Sequence, residues 1–468
     1  MTIRYVSSRG GVPPCDFEEA LLDGLAADGG LYLPQSWPRL DRDRLDALRG
    51  ASYQEVAATV LAPFVEGALS ETELRGLIDK AYAGFDHVAV APLRQLDAND
   101  WLLELFHGPT LAFKDIALQL LGHLFEHFLA KRSRSVTIVG ATSGDTGAAA
   151  IEACAGRERM TIVILHPHGR ISEVQRRQMT TVDAANVHNI AVEGTFDDCQ
   201  ALLKAMFDDQ PFRTRLHLAA VNSINWARVV AQAVYYVTAG LALGAPWRKM
   251  AFAVPTGNFG DVYAGWVAAQ IGLPIAQLIV ATNRNDILAR FFASGEYSAG
   301  EVHPTISPSM DIQVASNFER LLFDLCGRDG AKVRALMAQF TARRELSVPP
   351  DALGRARELF DAASAGEEET GATMAEVLRA TGGLVDPHSA VGIRVGRQCR
   401  RDPATPLVCL ATAHPAKFPE AVQRATGIAP ILPARLADLH ERAERFDVLP
   451  NELGAIKAHI QQCVMAEA

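Results

Sequence analysis

The sequence predicts an α/β protein whose mostly parallel sheet is covered by helices on both faces, with a separate helix-rich N-terminal domain. Three observations support this prediction. The chain has 468 residues, which is too long for one simple core. From residue 135 onward, short apolar runs alternate with helical patterns. Residues 1–95 lack this alternation and show helical patterns separated by turns rich in glycine and proline.

The predicted elements follow one another in a regular order. Strands are predicted at 135–140, 160–166, 187–192, 216–221, 250–255, 275–282 and 405–411. Helices are predicted at 146–156, 171–180, 196–207, 224–243 and 257–272. The strands are apolar along their whole length, which is typical of parallel strands buried on both faces. The segment 340–375 is polar and charged, and it is predicted to form a helix and a loop on the surface, a surface helical excursion. The tail from about residue 430 is predicted to be helical.

These patterns divide the chain into four predicted parts. The parts are an N-terminal domain at 1–95, a large domain formed by 96–134 and 245–430, a small α/β domain at 135–244, and a C-terminal helical tail at 431–468.

Composition excludes several classes of protein. The net charge of −9 argues against an extended nucleic-acid surface. The seven cysteines are odd in number and form no CxxC pair, which argues against a disulfide framework or a structural zinc site and favours a reducing cytoplasm. The first residues lack the apolar core of a signal peptide, and no run is long enough to span a bilayer, so a cytoplasmic protein without membrane contact is expected.

Lys114 stands in an unusual position within the segment HGPTLAFKDI, residues 107–116. It follows an apolar run behind a Gly-Pro turn and precedes an aspartate. Burial in apolar surroundings lowers the pKa of a lysine ammonium group and frees the amine as a nucleophile. The alternative, an exposed lysine at the start of an amphipathic helix, fits the local pattern about as well.

Two turns between a predicted strand and a predicted helix contain glycine. In ATSGDTG, residues 141–147, backbone N–H groups and hydroxyls could bind an anion, although a plain helix N-cap is the more frequent use of such residues. In PTGNFGD, residues 255–261, Gly257 and Gly260 would let the backbone approach a phosphate closely. A tight turn that needs glycine for its own conformation explains this second segment equally well.

Two further segments place polar groups at the ends of predicted strands. In VNSINWAR, residues 221–228, Asn222, Ser223 and Arg228 form a second candidate phosphate site, with a helix cap and a surface arginine as the alternative. In ATAHPAKF, Thr412 lies at the carboxyl end of a strand, where ligands of open α/β sheets bind. His414 is a candidate base, but a histidine before proline is more often structural. Pyridoxal phosphate requires such a set: a lysine, a phosphate cup and a partner for its ring nitrogen.

Together these segments resemble the threonine synthase family. The resemblance runs nearly end to end and includes RGGVPPCDFEEALLDGLAADGGLYLP, FHGPTLAFKD, ATSGDTGAAA, VNSINWAR, PTGNFGD, SPSMDIQVASNFERLLF, DPHSAVG and ATAHPAKFP. It implies a fold type II pyridoxal-phosphate enzyme with two open, twisted, mostly parallel sheets flanked by helices. The long N-terminal domain is similar to that of the fungal and enterobacterial branch, which implies a monomer.

The resemblance also implies roles for individual residues. Lys114 would form the Schiff base with pyridoxal 5'-phosphate, Phe113 would shape the cofactor pocket, and Thr412 would hydrogen-bond the pyridine nitrogen. Backbone N–H groups of one loop would hold the cofactor phosphate: Gly257, Asn258, Phe259 and Gly260. The turn after residue 142 would hold the substrate carboxylate and the cofactor ring oxygen: Ser143, Gly144, Asp145 and Thr146. The substrate phosphate would bind Asn222, Ser223 and Arg228.

Asp145 departs from the pattern of many relatives of this fold, which have asparagine there. An acid near the ring oxygen would have to be protonated or turned away.

The implied reaction converts O-phospho-L-homoserine and water to L-threonine and phosphate by γ-elimination and β-addition. The alternatives are a serine/threonine dehydratase-like or other β-replacing enzyme of the same fold and a non-catalytic threonine-synthase-like protein. A nucleotide-binding protein is disfavoured because neither glycine turn has the dinucleotide spacing.

Overall fold

The structure is a computed structural model, and it describes residues 2–142, 144–219 and 223–467. Its strands are β1 Tyr5–Ser7, β2 Tyr32–Pro34, β3 Leu93–Gln95, β4 Asp100–Glu104, β5 Val136–Ala141, β6 Met160–Pro167, β7 Val187–Glu193, β8 Leu218–Ala219, β9 Met250–Pro255, β10 Ile275–Thr282, β11 Glu296–Ser298, β12 Glu345–Ser347, β13 Phe360–Ser364, β14 Leu407–Ala411 and β15 Asp447–Pro450.

The helices occupy most of the remaining chain. They are α1 Phe17–Asp23, α2 Arg42–Ala47, α3 Tyr53–Val65, α4 Glu71–Tyr82, α5 Lys114–Lys131, α6 Asp145–Cys154, α7 Glu173–Thr180, α8 Phe196–Asp208, α9 Gln210–Arg215, α10 Trp226–Ala242, α11 Gly260–Ile271, α12 Ile287–Ser294, α13 Phe318–Leu325, α14 Gly330–Arg343, α15 Pro350–Leu359, α16 Glu367–Thr381, α17 Pro387–Cys399, α18 Pro419–Thr426 and α19 Leu453–Glu467. Short 3-10 helices lie at Pro308–Met310, Pro415–Lys417 and Ala434–Leu436.

The chain divides into two compact units. Unit 1 consists of Met1–Gly108 and Ser223–Pro430, and unit 2 consists of Pro109–Asn222 and Ile431–Ala468. Each unit is therefore assembled from segments that are distant in sequence. The four-part division expected from the sequence stays a prediction.

Unit 1 contains a six-stranded sheet in the order β13-β10-β9-β14-β4-β3. The strands pair in parallel, except that β3 runs antiparallel to β4. Every residue of the central strand β9 is buried, because helices cover both faces of the sheet. Helix α17 packs against β9, β10 and β14 and closes one apolar core, in which Ala253, Ile279 and Cys409 lie.

Unit 2 contains a five-stranded parallel sheet in the order β15-β7-β6-β5-β8. Its core is apolar and includes Val163 of β6, Ile190 of β7 and Met206 of α8. The mostly parallel sheets and the helical N-terminal segment agree with the predicted fold class. Strand β8 is shorter than predicted within the described residues, since Ala220–Asn222 lie outside them.

Eight of the fifteen strands that the described residues form were not predicted from the sequence, and two of these eight, β13 and β15, lie at edges of the two large sheets. The segment predicted as a surface helical excursion contributes β13, which pairs with β10 at the edge of the large sheet, and Phe360 of β13 is fully buried. The tail contributes β15, which pairs with β7. Both are short edge strands whose sequences mix polar and apolar residues, so period-two patterning gives no signal in either segment.

His166 of β6 makes the stability of unit 2 sensitive to pH. Its side chain is 1% exposed, and burial lowers its pKa from 6.5 to about 4. The unfolded chain therefore takes up a proton between pH 6.5 and 4 that the folded chain does not, and stability falls as the pH falls through this window. The full effect of such a shift is about 3 kcal/mol.

We expect His166→Leu to reduce this pH dependence. The melting temperature of the wild type should fall more between pH 7.5 and pH 5 than that of the variant. His168→Leu is the matched control because His168 lies two residues further on and is exposed. Equal losses in all three proteins would contradict the expected role of His166.

Candidate active site

The loop before α5 places Lys114 at the first position of that helix. The Asp115 carboxylate accepts hydrogen bonds from the Thr110 N–H at 2.8 Å and from the Thr110 hydroxyl at 2.6 Å, which bends the chain back on itself. Leu111 adopts a left-handed conformation with φ of 62°, which is costly for a residue with a bulky side chain. Asp115 thus explains the Lys-Asp pair, because its carboxylate holds the strained turn that leads into Lys114.

The side chain of Lys114 is buried beside a carboxylate. It is 9% exposed, so the alternative of a surface lysine is wrong. Its Nζ lies 3.6 Å from Oδ2 of Asp145 and 4.9 Å from the centroid of the Phe113 ring. The other oxygen of Asp145, Oδ1, accepts a hydrogen bond of 2.9 Å from Nε2 of Gln175. The lysine environment is therefore partly apolar and partly ionic.

The turn that precedes α6 combines hydrogen bonds to the Thr142 hydroxyl with a close backbone approach. The Thr142 hydroxyl accepts hydrogen bonds from the N–H groups of Gly144 and Gly147, both at 3.0 Å. The N-cap residue of α6 is Gly144, which makes no side-chain cap bond, and Thr142, two residues earlier, accepts from the Gly147 N–H instead. Gly144 has a φ of 145°, which favours glycine. Thr146 is half-buried in the first turn of α6, and Ser143 lies outside the described residues.

The loop Gly257–Gly260 carries backbone donors at the N-terminus of α11. Within the described parts of the chain, the N–H groups of these four residues donate to no acceptor. Phe259 is left-handed with φ of 63°, and a Cβ at Gly257 would lie 2.7 Å from the Ser309 carbonyl oxygen. Free N–H groups at a helix start form an anion site. The loop therefore has the geometry that a phosphate group needs.

Thr412 lies at the same sheet edge as this loop. Cys409 of β14 pairs with Ala253 of β9, so the residues that follow the two parallel strands, Thr412 and Thr256, lie at the same carboxyl edge. Thr412 is buried.

Nδ1 of His414 accepts a hydrogen bond of 3.2 Å from the Ala416 N–H, and burial lowers the pKa of His414 to about 4. The hydrogen bond and the lowered pKa favour a structural role for His414 over a role as a catalytic base.

Arg228 is a buried cation in the first turn of α10. Its side chain is 4% exposed, and burial lowers its pKa to about 10, so it stays charged at neutral pH. Its Nη1 atom has no hydrogen-bond partner among the described residues, and none of them forms a salt bridge with it. The surface-arginine alternative is wrong. The Ser223 hydroxyl lies 2.9 Å from that of Ser316, and Asn222 lies outside the described residues.

Asn317 connects the two candidate anion sites of unit 1, and sequence reasoning did not assign it a role. Its Nδ2 donates to the carbonyl oxygens of Ser223 and Asn258, both at 3.1 Å. Its backbone N–H also donates to the Asn258 carbonyl at 3.0 Å, and its Oδ1 accepts from Arg320. The only signal in the sequence was a cluster of polar residues, SNFER, entering an apolar helix.

The N-terminal segment of unit 1 supports the stretch that carries Arg228. Arg320 is fully buried and donates to the Tyr32 carbonyl at 3.0 Å and to the Ile224 carbonyl at 2.6 Å. Nδ2 of Asn225 donates to the Leu21 carbonyl at 2.8 Å. The ring of Trp226 packs among aromatic rings of the N-terminal segment: Tyr5, Trp37 and Phe64. The extra N-terminal region therefore positions the start of α10.

Known proteins match this chain over nearly its whole length. The family model described as threonine synthase N terminus matches residues 4–82, that of the pyridoxal-phosphate dependent enzymes matches 85–343, and that of the threonine synthase C-terminal region matches 389–460. A threonine synthase of Pseudomonas aeruginosa is 56% identical over 461 residues, which cover 98% of each chain. The chain belongs to the threonine synthase family. The predicted family and the predicted cofactor, pyridoxal phosphate, are confirmed.

Solved structures of the threonine synthase family have the same fold. The crystal structure of a threonine synthase from Brucella melitensis with bound pyridoxal phosphate superimposes with a TM-score of 0.97 at 53% identity, covering 99% of each chain. The threonine synthase from yeast superimposes with a TM-score of 0.95 at 36% identity, covering 100% of this chain and 99% of that one. The predicted fold class, a fold type II enzyme with an N-terminal domain, is confirmed.

Two negative findings apply to the part of the chain that the structure describes. None of its helices combines the length and the hydropathy that crossing a lipid bilayer would require. No group of three histidine, cysteine or acidic side chains in the described ranges is placed to bind a metal ion.

Proposed function

We propose that this chain converts O-phospho-L-homoserine and water to L-threonine and phosphate. Membership of the threonine synthase family supports the type of reaction. The buried guanidinium of Arg228 is the observation that supports a phosphorylated substrate. A buried cation with no hydrogen-bond partner for its Nη1 among the described residues is unfavourable, and an anion that binds there would offset this cost. A serine or threonine dehydratase has no substrate phosphate to bind there.

The residues of unit 1 fit the two phosphates. The N–H groups of Gly257, Asn258, Phe259 and Gly260 would hold the cofactor phosphate, because they donate to no acceptor in the described ranges and lie at the start of α11. Arg228 and Ser223, with Asn222, would hold the substrate phosphate. Thr412, at the end of β14, would hydrogen-bond the pyridine nitrogen. When bound, pyridoxal phosphate supplies the electron sink that makes carbon–hydrogen bonds next to the substrate amine acidic.

The residues of unit 2 would carry out the proton transfers of the reaction. Nζ of Lys114 would remove the proton from the substrate α-carbon and later return a proton. The Asp145 carboxylate, 3.6 Å away, would stabilise the ammonium group that Lys114 becomes after it takes up the proton. Phe113 would shield the amine from water, since its ring lies 4.9 Å from Nζ. Ser143, Gly144 and Thr146 would bind the substrate carboxylate at the N-terminus of α6.

A product assay tests this proposal. The purified protein, loaded with pyridoxal phosphate, is incubated with O-phospho-L-homoserine, and phosphate and threonine are measured. We expect both products in equal amounts and no reaction with L-homoserine, which lacks the phosphate. A protein that binds pyridoxal phosphate but deaminates serine or threonine and leaves O-phospho-L-homoserine unchanged would overturn the proposal.

A further inference from the structure

Helix α7 contributes a side chain that reaches the lysine–aspartate pair of unit 2. Nε2 of Gln175 donates a hydrogen bond of 2.9 Å to Oδ1 of Asp145, and Oδ2 of Asp145 lies 3.6 Å from Nζ of Lys114. All three residues are buried, with exposed fractions of 9% or less. Lys114, Asp145 and Gln175 therefore form a continuous buried polar chain.

The orientation of the Gln175 amide is fixed at its other end. The Ser172 hydroxyl donates to Oε1 of Gln175 at 2.9 Å, which directs the NH₂ group to Asp145. Ser172 is also the N-cap of α7, because its hydroxyl accepts from the Gln175 N–H. The absence of a side chain at Gly144 allows this approach, since a Cβ there would lie 2.6 Å from the Gln175 amide carbon. The glutamine therefore presents a donor, not an acceptor, to the carboxylate.

A donor at Oδ1 has two consequences for Asp145. It favours the ionised carboxylate, because a hydrogen bond to the charged form stabilises that form. It also holds the carboxyl plane, so that Oδ2 stays directed at the lysine. We propose that Gln175 is a positioning residue that keeps Asp145 ionised and aligned to stabilise the proton on Nζ of Lys114. This inference rests on the proposed function in that Lys114 is the group that transfers protons.

Gln178 provides a matched control on the same helix. It is also buried, and its Nε2 donates at 3.1 Å to the Thr110 carbonyl instead of the Asp145 carboxylate. Replacing either glutamine by methionine keeps the length of the side chain and removes one hydrogen-bond donor. Only Gln175→Met removes a donor from a carboxylate that lies beside Lys114.

The experiment measures the reactivity of Lys114 in the cofactor-free protein. Cyanate carbamylates unprotonated amines, so the extent of labelling of the Lys114 peptide, followed by mass spectrometry, reports the pH at which the amine loses its proton. The exposed Lys332 serves as an internal standard. We expect the labelling midpoint of Lys114 to fall by about one pH unit in Gln175→Met and to stay at the wild-type value in Gln178→Met.

Two further variants keep the inference testable. Asp145→Asn should lower the midpoint at least as far as Gln175→Met, and the double variant should show no additional shift, because Gln175 acts through Asp145. Gln175→Asn retains the amide but is one methylene shorter, and it replaces Gln175→Met if the latter does not fold. A wild-type midpoint in the folded Gln175 variants, or equal shifts in both methionine variants, would overturn the inference.

The labelling result is independent of the proposed reaction. It requires neither cofactor nor substrate, so a protein that fails the product assay can still show the shift. A protein that passes the product assay and shows no shift would retain the proposed function and lose the role of Gln175.

Discussion

Lys114→Ala should lower kcat/KM for O-phospho-L-homoserine by at least about a thousandfold, because in the proposed reaction its amine would both bind the cofactor and move protons. Borohydride reduction should no longer attach pyridoxal phosphate to the chain. The cofactor should still bind, more weakly, since the free N–H groups of the loop Gly257–Gly260 remain. Steady-state kinetics and mass spectrometry of the reduced protein measure these effects.

Lys131→Ala is the control for this variant. Lys131 is the last residue of the same helix and is exposed, so its loss should change neither kinetics nor labelling. Circular dichroism should show that both variants are folded. Turnover of Lys114→Ala at the wild-type rate would remove Lys114 from the reaction.

Arg228→Met should have opposite effects on activity and on stability. The loss of a charge-assisted hydrogen bond to phosphate, about 1.5–3 kcal/mol, should lower kcat/KM at least about tenfold. The free energy of unfolding without ligand should stay equal or rise, because a buried cation whose Nη1 has no partner among the described residues is replaced by an apolar side chain. Inorganic phosphate should then raise the melting temperature of the wild type and not that of the variant.

Arg320→Met is the matched control for Arg228→Met. Burial lowers the pKa of Arg320 to about 10 as well, but its guanidinium is bonded to the carbonyls of Tyr32 and Ile224 and to Asn317. Its replacement leaves buried acceptors without donors and should lower the free energy of unfolding by about 2–4 kcal/mol. An unchanged kcat/KM in Arg228→Met would exclude Arg228 from substrate binding.

The elements that the sequence predicts well have strong local signals. Strand β9 lies at the predicted position and helix α11 within the predicted range, because an apolar run and a glycine turn determine them locally. Lys114 is buried as its apolar flank indicates. The roles of Lys114, Thr412 and Arg228 in binding stay predictions until they are tested, as do those of Ser143 and Asn222, which lie outside the described residues.

The residues that the sequence does not reveal act through contacts between distant segments. Gln175 donates a hydrogen bond to Asp145, 30 residues away in sequence, and Asn317 donates one to the carbonyl of Asn258, 59 residues away. No local pattern distinguishes either side chain from an ordinary surface amide. Asp145 illustrates the same limit, since its position in a turn was evident but its approach to Lys114 depends on the packing of α5 against α6.

The position of β15 has a consequence for how the protein is made. Strand β7 of unit 2 leaves the ribosome long before its neighbour β15, and a large part of unit 1 is synthesised between them. The nascent sheet therefore exposes the open edge of β7 while the rest of the chain is translated, and such an edge invites pairing with other chains. Synthesis of the last segment closes this edge. Unit 2 therefore stays incomplete at this edge until the last segment of the chain has been made.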